Sequence, residues 1–416
     1  MESRKQALGG VRVLEISQYI AGPLLGRMMA DMGAEVVKLE LAPVGDLTRA
    51  TENAGGTGTR TEAHAPGYVY WNRGKRSIGL DVKRVEAAAI ARELVRHFDV
   101  VIENYTPGVL AKYGFSYESL RELNPRLIMC SISAYGQTGP MANLPGNDTV
   151  AQAISGMFHL TGNPDGSPVY TGAYIADANG GINGLAAVLA ALYYREKTGF
   201  GQYIDLGLIE CLFHLHDVPL VAYLFSNGAV NMTRCGPHRD DYAPCGIFKA
   251  SDGYLVLTVL FQQWESFTKL IGRPELVKDP RFIDVATRCR HKQELAAVIE
   301  EWLQSWPSRD DAVKFLQDHH FLCAPVLNLQ EVINHPQFKS RDTLKSLEVP
   351  GFGQVPLPIA PYHFSETPVE IPGHLALLGQ DNEDVLGKYL GYGKEQIEDL
   401  TKRGLLVRDP RLAVPR

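Results

Sequence analysis

Residues 11–40, V-R-V-L-E-I-S-Q-Y-I-A-G-P-L-L-G-R-M-M-A-D-M-G-A-E-V-V-K-L-E, decide the fold. The run 11–16 is short and apolar and reads as a strand. Ala21-Gly22-Pro23 follows, and 24–32 then carry helical periodicity up to Gly33. Residues 35–39 make a second strand. Proline in the first turn and glycine just past the last is the asymmetry of a helix that starts and stops there. A strand, a helix and a strand in this order form a βαβ unit with parallel strands.

The pattern continues outward. Strands are predicted at 77–80, 99–103, 127–133 and 202–206, and helices at 85–98, 116–123, 178–196 and 210–225. Such alternation predicts an α/β fold with a parallel sheet. Past Asn227 the character changes. Runs at 245–249 and 254–259 flank Ser251-Asp252-Gly253, a strong hairpin signal, and helical stretches follow at 262–271, 292–305 and 309–319. The expected division is a large domain over 1–225, a small α+β domain over 226–329, and a proline-rich linker at 330–416 that returns to the large domain, with a helix at 382–390.

Composition narrows the function. Hydrophobic residues are 45% of the 416 and charged residues 21%, as in soluble globular proteins. With 41 basic against 47 acidic residues the net charge is −6, which weighs against a nucleic-acid partner. The apolar run at 182–194 is short and glycine-punctuated for a bilayer span, so no membrane partner is expected. MESRKQALGG has no apolar segment after its charges, and six scattered cysteines without C-x-x-C read as reduced thiols of a cytoplasmic protein, with no metal site. There is no G-x-G-x-x-G, no P-loop and no G-x-S-x-G.

Two constellations remain. Asn72-Arg73-Gly74-Lys75-Arg76-Ser77 reads as a solvated loop or as an anion site through Arg73 and Lys75. Asp177, in I-A-D-A-N-G-G-I-N-G, reads as an N-cap or as a nucleophile. Gly180, Gly181 and Gly184 crowd the start of its helix, where each costs about 1 kcal/mol against alanine. Close approach of a ligand to the backbone would explain them. The helix dipole is expected to keep Asp177 ionised, with backbone N–H groups ready for an oxyanion.

The stretches A-G-P-L-L, M-G-A-E-V-V-K-L-E, G-D-L-T-R, N-R-G-K-R-S-I-G-L-D, V-I-E-N-Y-T-P-G-V-L, S-A-Y-G-Q-T-G-P, R-E-K-T-G-F-G-Q and D-G-Y-L-V-L, in this order, resemble the family III CoA-transferases, the group of formyl-CoA transferase and the carnitine CoA-transferases. The resemblance implies a Rossmann-like large domain built from both chain ends, a small domain between them, and an interlocked, ring-like homodimer. It implies an acyl-CoA and a free carboxylate as substrates, coenzyme A as the moved group, and no permanently bound cofactor. Asp177 matches the family's nucleophile, which works through a mixed anhydride and an aspartyl-CoA thioester. Gln18, Ile20, Ala21, Leu80, Lys83, Asn104, Tyr105 and Lys112 match CoA-contacting positions, and Asp148 an acidic residue near the reacting centre. Leu41 stands where many relatives carry a CoA-contacting arginine, a loss that Arg73 or Lys75 would offset. The glycine-rich loop of the formyl-CoA:oxalate enzymes is absent. Arg234 and His238 are candidates to face the second carboxylate of a small diacid. The alternative on the same fold is a 2-methylacyl-CoA racemase with Asp177 as acid/base, but its histidine position holds Asn147.

Overall fold

A computed structural model describes residues 6–50 and 64–413. The chain divides into two compact units. The first takes in the chain up to Ser155, Gly172–Asp217 and everything from Ser340; the second is Gly156–Thr171 with Val218–Lys339.

The first unit is built on a sheet of β1 (Arg12–Ile16), β2 (Glu35–Leu41), β3 (Arg76–Leu80), β4 (Val100–Glu103), β5 (Ile128–Ser133), β6 (Tyr203–Gly207) and β12 (Leu406–Val407). Their order is β12-β3-β2-β1-β4-β5-β6. All pairs are parallel except β12 on β3. Val13 is the hinge of the register, opposite Val36 on one side and Val100 on the other. The chain winds outward from β1 through β2 and β3, then resumes beside β1 at β4 and winds the other way. The switch point of this doubly wound sheet is therefore the β1/β4 crevice, where such folds bind ligands.

Helices flank the sheet: α1 (Ala21–Asp31), α2 (Pro66–Asn72), α3 (Val85–Val95), α4 (Tyr117–Leu123), α5 (Asp148–Ile154), α7 (Ile175–Thr198), α8 (Leu208–Phe213), α16 (Asn382–Leu390) and α17 (Lys394–Lys402). β1 and β4 are buried on both faces, which is why they read as mostly apolar runs, broken in each by one glutamate, Glu15 and Glu103. Leu14, Ile16, Val37, Val101 and Leu94 form one core with Val385, Leu386 and Leu406 from the chain's far end.

α7 is 24 residues long and ends at Gly199 in the left-handed conformation. Among the described residues it is the one helix long and apolar enough to cross a membrane, and one face of it packs on α1. Its glycines make that packing. A Cβ on Gly181 would lie 2.9 Å from the Ala21 carbonyl oxygen, and one on Gly184 3.0 Å from Leu25 Cδ2.

The second unit contains α6 (Met157–Leu160), α9 (Val218–Phe225), and an antiparallel sheet of β7 (Cys245–Lys249), β8 (Tyr254–Thr258) and β9 (Leu322–Pro325). α10 (Trp264–Leu270), α11 (Val285–Arg290), α12 (Lys292–Gln304), α13 (Arg309–Asp318) and α14 (Leu329–Asn334) complete it, and α15 (Pro336–Ser340) ends at its boundary. Phe248, Leu255, Leu257, Phe267, Phe282 and Ile299 make its core. The predicted hairpin around Asp252-Gly253 is β7–β8.

Two predicted features differ. The expected helix 210–225 is two helices, α8 and α9, interrupted near His214–Asp217. Within the expected linker lies a hairpin of β10 (Leu344–Val349) and β11 (Gly353–Pro358). Its alternation buries Leu347, Val349 and Leu357 against Val69 of α2, a partner that no local pattern reveals.

Candidate active site

The loops at the carboxyl ends of β1, β4 and β5 and the start of α7 enclose a cleft of about 680 Å³ at the switch point. Gln18, Ile20, Ala21, Asn104, Tyr105, Asp148 and Asp177 line it together. Seven of the residues expected from sequence thus meet in one place.

The rim is pinned by reciprocal amide bonds. Gln18 N donates to Asn104 Oδ1 at 2.9 Å, and Asn104 Nδ2 donates to the Gln18 carbonyl at 2.7 Å. Tyr19 sits at φ 64°, a strained region for a non-glycine residue, and its N–H donates to Asp46 Oδ1 at 3.3 Å. Strain of about 1–3 kcal/mol persists only where surroundings enforce it. Here the enforcing group, Asp46, also accepts from Thr48 N at 2.9 Å, so the Thr48 loop, which lines the cleft, is tied to the turn ahead of α1.

Asp177 lies in the first turn of α7, two residues inside its first residue. It is not the N-cap: that position is Tyr174, which makes no side-chain cap bond. The cap comes from another helix. Asp148, the buried first residue of α5, accepts from Ala176 N at 2.8 Å and Asp177 N at 3.0 Å through one carboxylate oxygen. Its other oxygen accepts from Gln152 Nε2. These bonds satisfy amides that a helix start leaves open. They also take up two N–H groups expected to serve an oxyanion.

Charge at this place runs against the sequence expectation. Burial, then the neighbouring Asp148 carboxylate, push the Asp177 carboxyl up to about 7. Desolvation and a like charge outweigh the helix dipole. The result is a carboxylate near its titration point at neutral pH, more basic and more nucleophilic than a solvated one.

The remaining expected residues are placed elsewhere. Arg73 and Lys75 do not form a surface anion site. Both side chains are fully buried; Arg73 Nη2 meets Asp31 Oδ2 at 2.9 Å, and Lys75 Nζ meets Glu15 Oε2 at 2.7 Å. Neither replaces the arginine missing at Leu41. Gly180 and Gly181 do not line the cleft: a Cβ on Gly180 would stand 2.4 Å from Leu208 Cδ2, and Gly181 faces Ala21 and Leu24. Their missing side chains serve helix packing, not a ligand. Leu80 is buried in the core at the end of β3, while Lys83 and Lys112 are exposed, in the turn after β3 and in the short helix Leu110–Tyr113. Arg234 and His238 belong to the second unit, where Arg234 Nη1 donates to the His159 carbonyl at 3.1 Å and the His238 ring lies 4.7 Å from Phe248.

Acidic and basic side chains under the rim support it without lining the cleft. Lys38 Nζ meets Glu15 Oε1 at 2.6 Å and Asp46 Oδ2 at 2.9 Å, all fully buried. Arg49 Nη2 meets Glu40 Oε1 at 2.6 Å. Burial would pull Lys38 down, but Asp46, Glu15 and Glu40 outweigh it and hold it above its ordinary value. The available signal was Glu15, Lys38 and Glu40 interrupting two otherwise apolar strands.

Comparison with known proteins extends over nearly the whole chain. The family described as CoA-transferase family III matches residues 8–382. A succinate–glutarate CoA-transferase from Agrobacterium fabrum is 36% identical, across 93% of this chain and 97% of that one. A formyl-CoA:oxalate CoA-transferase from Streptomyces coelicolor is 32% identical, across 96% and 99%. The solved structure of a CaiB/BaiF family protein from Brucella suis superposes with a TM-score of 0.81 at 34% identity, covering 93% of this chain and all 100% of that one.

Proposed function

The chain belongs to CoA-transferase family III and is a CoA-transferase; from that premise we propose that it moves coenzyme A from an acyl-CoA to a free carboxylate through covalent intermediates on Asp177. A carboxylate oxygen of Asp177 attacks the thioester carbonyl. The C–S bond breaks, CoA leaves as thiolate, and an acyl-aspartyl anhydride remains. The thiolate then attacks the aspartyl carbonyl, releasing the first acid as its carboxylate and leaving an aspartyl-CoA thioester. The incoming carboxylate displaces CoA to form a second anhydride. The thiolate attacks the acyl carbonyl of that anhydride, forming the new acyl-CoA and restoring Asp177. The thioester energy is conserved and no water or redox partner enters.

The observation that carries this reading is the Asp177 carboxyl, half-buried on the cleft wall at the switch point and held near neutrality by burial and Asp148. Asp148 is the positioning residue, since it fixes the backbone N–H of Asp177 itself. Gln18 supplies a side-chain amide at the rim for the developing oxyanion. Ile20, Ala21, Asn104 and Tyr105 form the wall for the pantetheine arm, and Lys83 and Lys112 the approach for its nucleotide end. The donor is a small diacid thioester such as succinyl-CoA, in keeping with relatives named for succinate. The active form is an interlocked homodimer in the cytoplasm. Against the racemase reading stands Asn147, whose side chain caps α5 by accepting from Val150 N at 3.1 Å; it is an amide with no proton to relay.

The test mixes the protein with acyl-CoAs and free carboxylates and follows new CoA esters by mass spectrometry. The Asp177 peptide is probed in the same samples for a hydroxylamine-sensitive adduct. New esters together with the adduct are the expected result. Proton exchange at C2 without CoA transfer would overturn the reading.

A further inference from the structure

Beside the cleft, in the same unit, opens a second cavity of about 390 Å³ whose lining includes no charged side chain. Ile20, Gly67, Trp71 and Tyr174 line both spaces. Tyr174 is the N-cap residue of α7, about one helical turn ahead of Asp177. The far wall is the β10–β11 hairpin, through Val349, Phe352, Val355 and Leu357.

The walls are fixed. Val69, Leu347, Val349 and Leu357 make a buried apolar cluster on which Phe352 and Val355 pack. Arg27, reaching out of α1, lies 5.1 Å from the Tyr70 ring and 5.5 Å from the Trp71 ring, and its Nη1 donates to the Tyr70 carbonyl at 3.1 Å. The two rings meet edge to face at 4.4 Å. This clamp of cation and aromatic faces holds Trp71 upright between the two cavities. The pocket is pre-formed, apolar and of a size used for small ligands. The reaction steps above leave it unused.

We infer that this pocket receives the body of an exchanged acid, and that one of the two carboxylic acids handled here carries an aliphatic or aromatic body. The inference rests on the reading that the acyl group is carried on Asp177. A second carboxylate placed in this pocket would lose its water and meet no cation. An alkyl or aryl group gains from the same transfer.

The test measures kcat/KM for CoA transfer from succinyl-CoA to glutarate, and to acetate, butyrate, hexanoate, octanoate and benzoate. The expected profile rises by about two- to fourfold per added methylene until the pocket is full. Val355→Trp, which fills the pocket from the hairpin, is expected to lower transfer to hexanoate, octanoate and benzoate by about tenfold and to spare acetate. Phe352→Ala, which enlarges it, moves the optimum to longer acids and serves if the first variant does not fold. Transfer to glutarate and acetate with a flat chain-length profile would overturn the pocket assignment alone. So would a Val355→Trp variant that lowers the sedimenting mass without changing the profile, because the pocket would then be an interface between copies. The absence of any aspartyl adduct with every acid would overturn the catalytic reading and this inference together.

Discussion

Glu15 and Asp177 are two carboxyl groups withdrawn from water in the same unit, and their surroundings are opposite. Glu15 meets two ammonium groups, Lys38 at 2.6 Å and Lys75 at 2.7 Å. Asp177 is pushed up to about 7 by burial and by a second carboxylate, Asp148. A buried charge given partners becomes a structural joint, while one denied them becomes reactive. The joint beneath the rim ties β1 to β2 and to the Asp46 loop, and so fixes the turn that borders the reactive group.

The comparison breaks first at Asp177. Asp177→Asn is expected to lower transfer by about 10³-fold or more, measured as initial rate of CoA-ester formation. The same variant should be the more stable protein at pH 8. A carboxyl whose folded pKa is raised binds protons in the folded state that it has lost when unfolded, so it withdraws stability as pH rises from about 4 to about 7. The advantage of Asp177→Asn in urea unfolding should be greatest above pH 7 and gone below pH 4. Equal stability of variant and wild type at all pH values would mean that Asp177 is solvated.

Glu15→Gln tests the partnered group. Removing one charge from a buried ion cluster costs about 3–5 kcal/mol, read as a lower urea midpoint. Activity should fall with it, because Asp46 and Tyr19 lose their anchor. A loss below 1 kcal/mol would show that the ammonium groups find other acceptors.

Gly181→Ala probes the packing that brings α7 to the cleft. Its methyl would stand 2.9 Å from a backbone oxygen, so the expected cost is about 1–3 kcal/mol in chemical denaturation. Gly180→Ala meets only the end of a leucine side chain and should cost less.

Asp148→Asn gives the smallest shift and the sharpest discrimination. The wild-type rate should rise with pH through about 7 as Asp177 ionises. Removing the Asp148 charge moves that limb to lower pH, though not to the solution value, because burial is the larger cause. Asparagine caps about as well as aspartate, so the accompanying change in stability should be small. A limb that stays in place would mean that Asp148 acts on Asp177 through geometry alone.

Much was legible in the chain itself. Residues 11–40 announce β1, α1 and β2, and each is present, with Pro23 inside the first turn and Gly33 beyond the last. Residues 382–390 read as a helix and are α16. Gln18, Asn104, Asp148 and Asp177 were singled out and line one cleft. Other residues misled for a definite reason. Arg73 and Lys75 look solvated in sequence because charge in a loop ordinarily is, and only Asp31 and Glu15, far away in the chain, show why they are buried. The glycines after Asp177 looked like a ligand bed, but the bodies they admit are α1 and Leu208.

What the sequence determined by itself is what short-range physics controls: strand and helix periods, start and stop residues, and the order in which the family's stretches occur. These depend on residues a few positions apart. Tertiary structure alone decided which charges are paired and which are not. Glu15 finds Lys38 across 23 positions, and Asp148 caps Asp177 across 29. Desolvation and Coulomb interaction depend on distance in space, and no pattern along the chain encodes that distance until the sheet has formed.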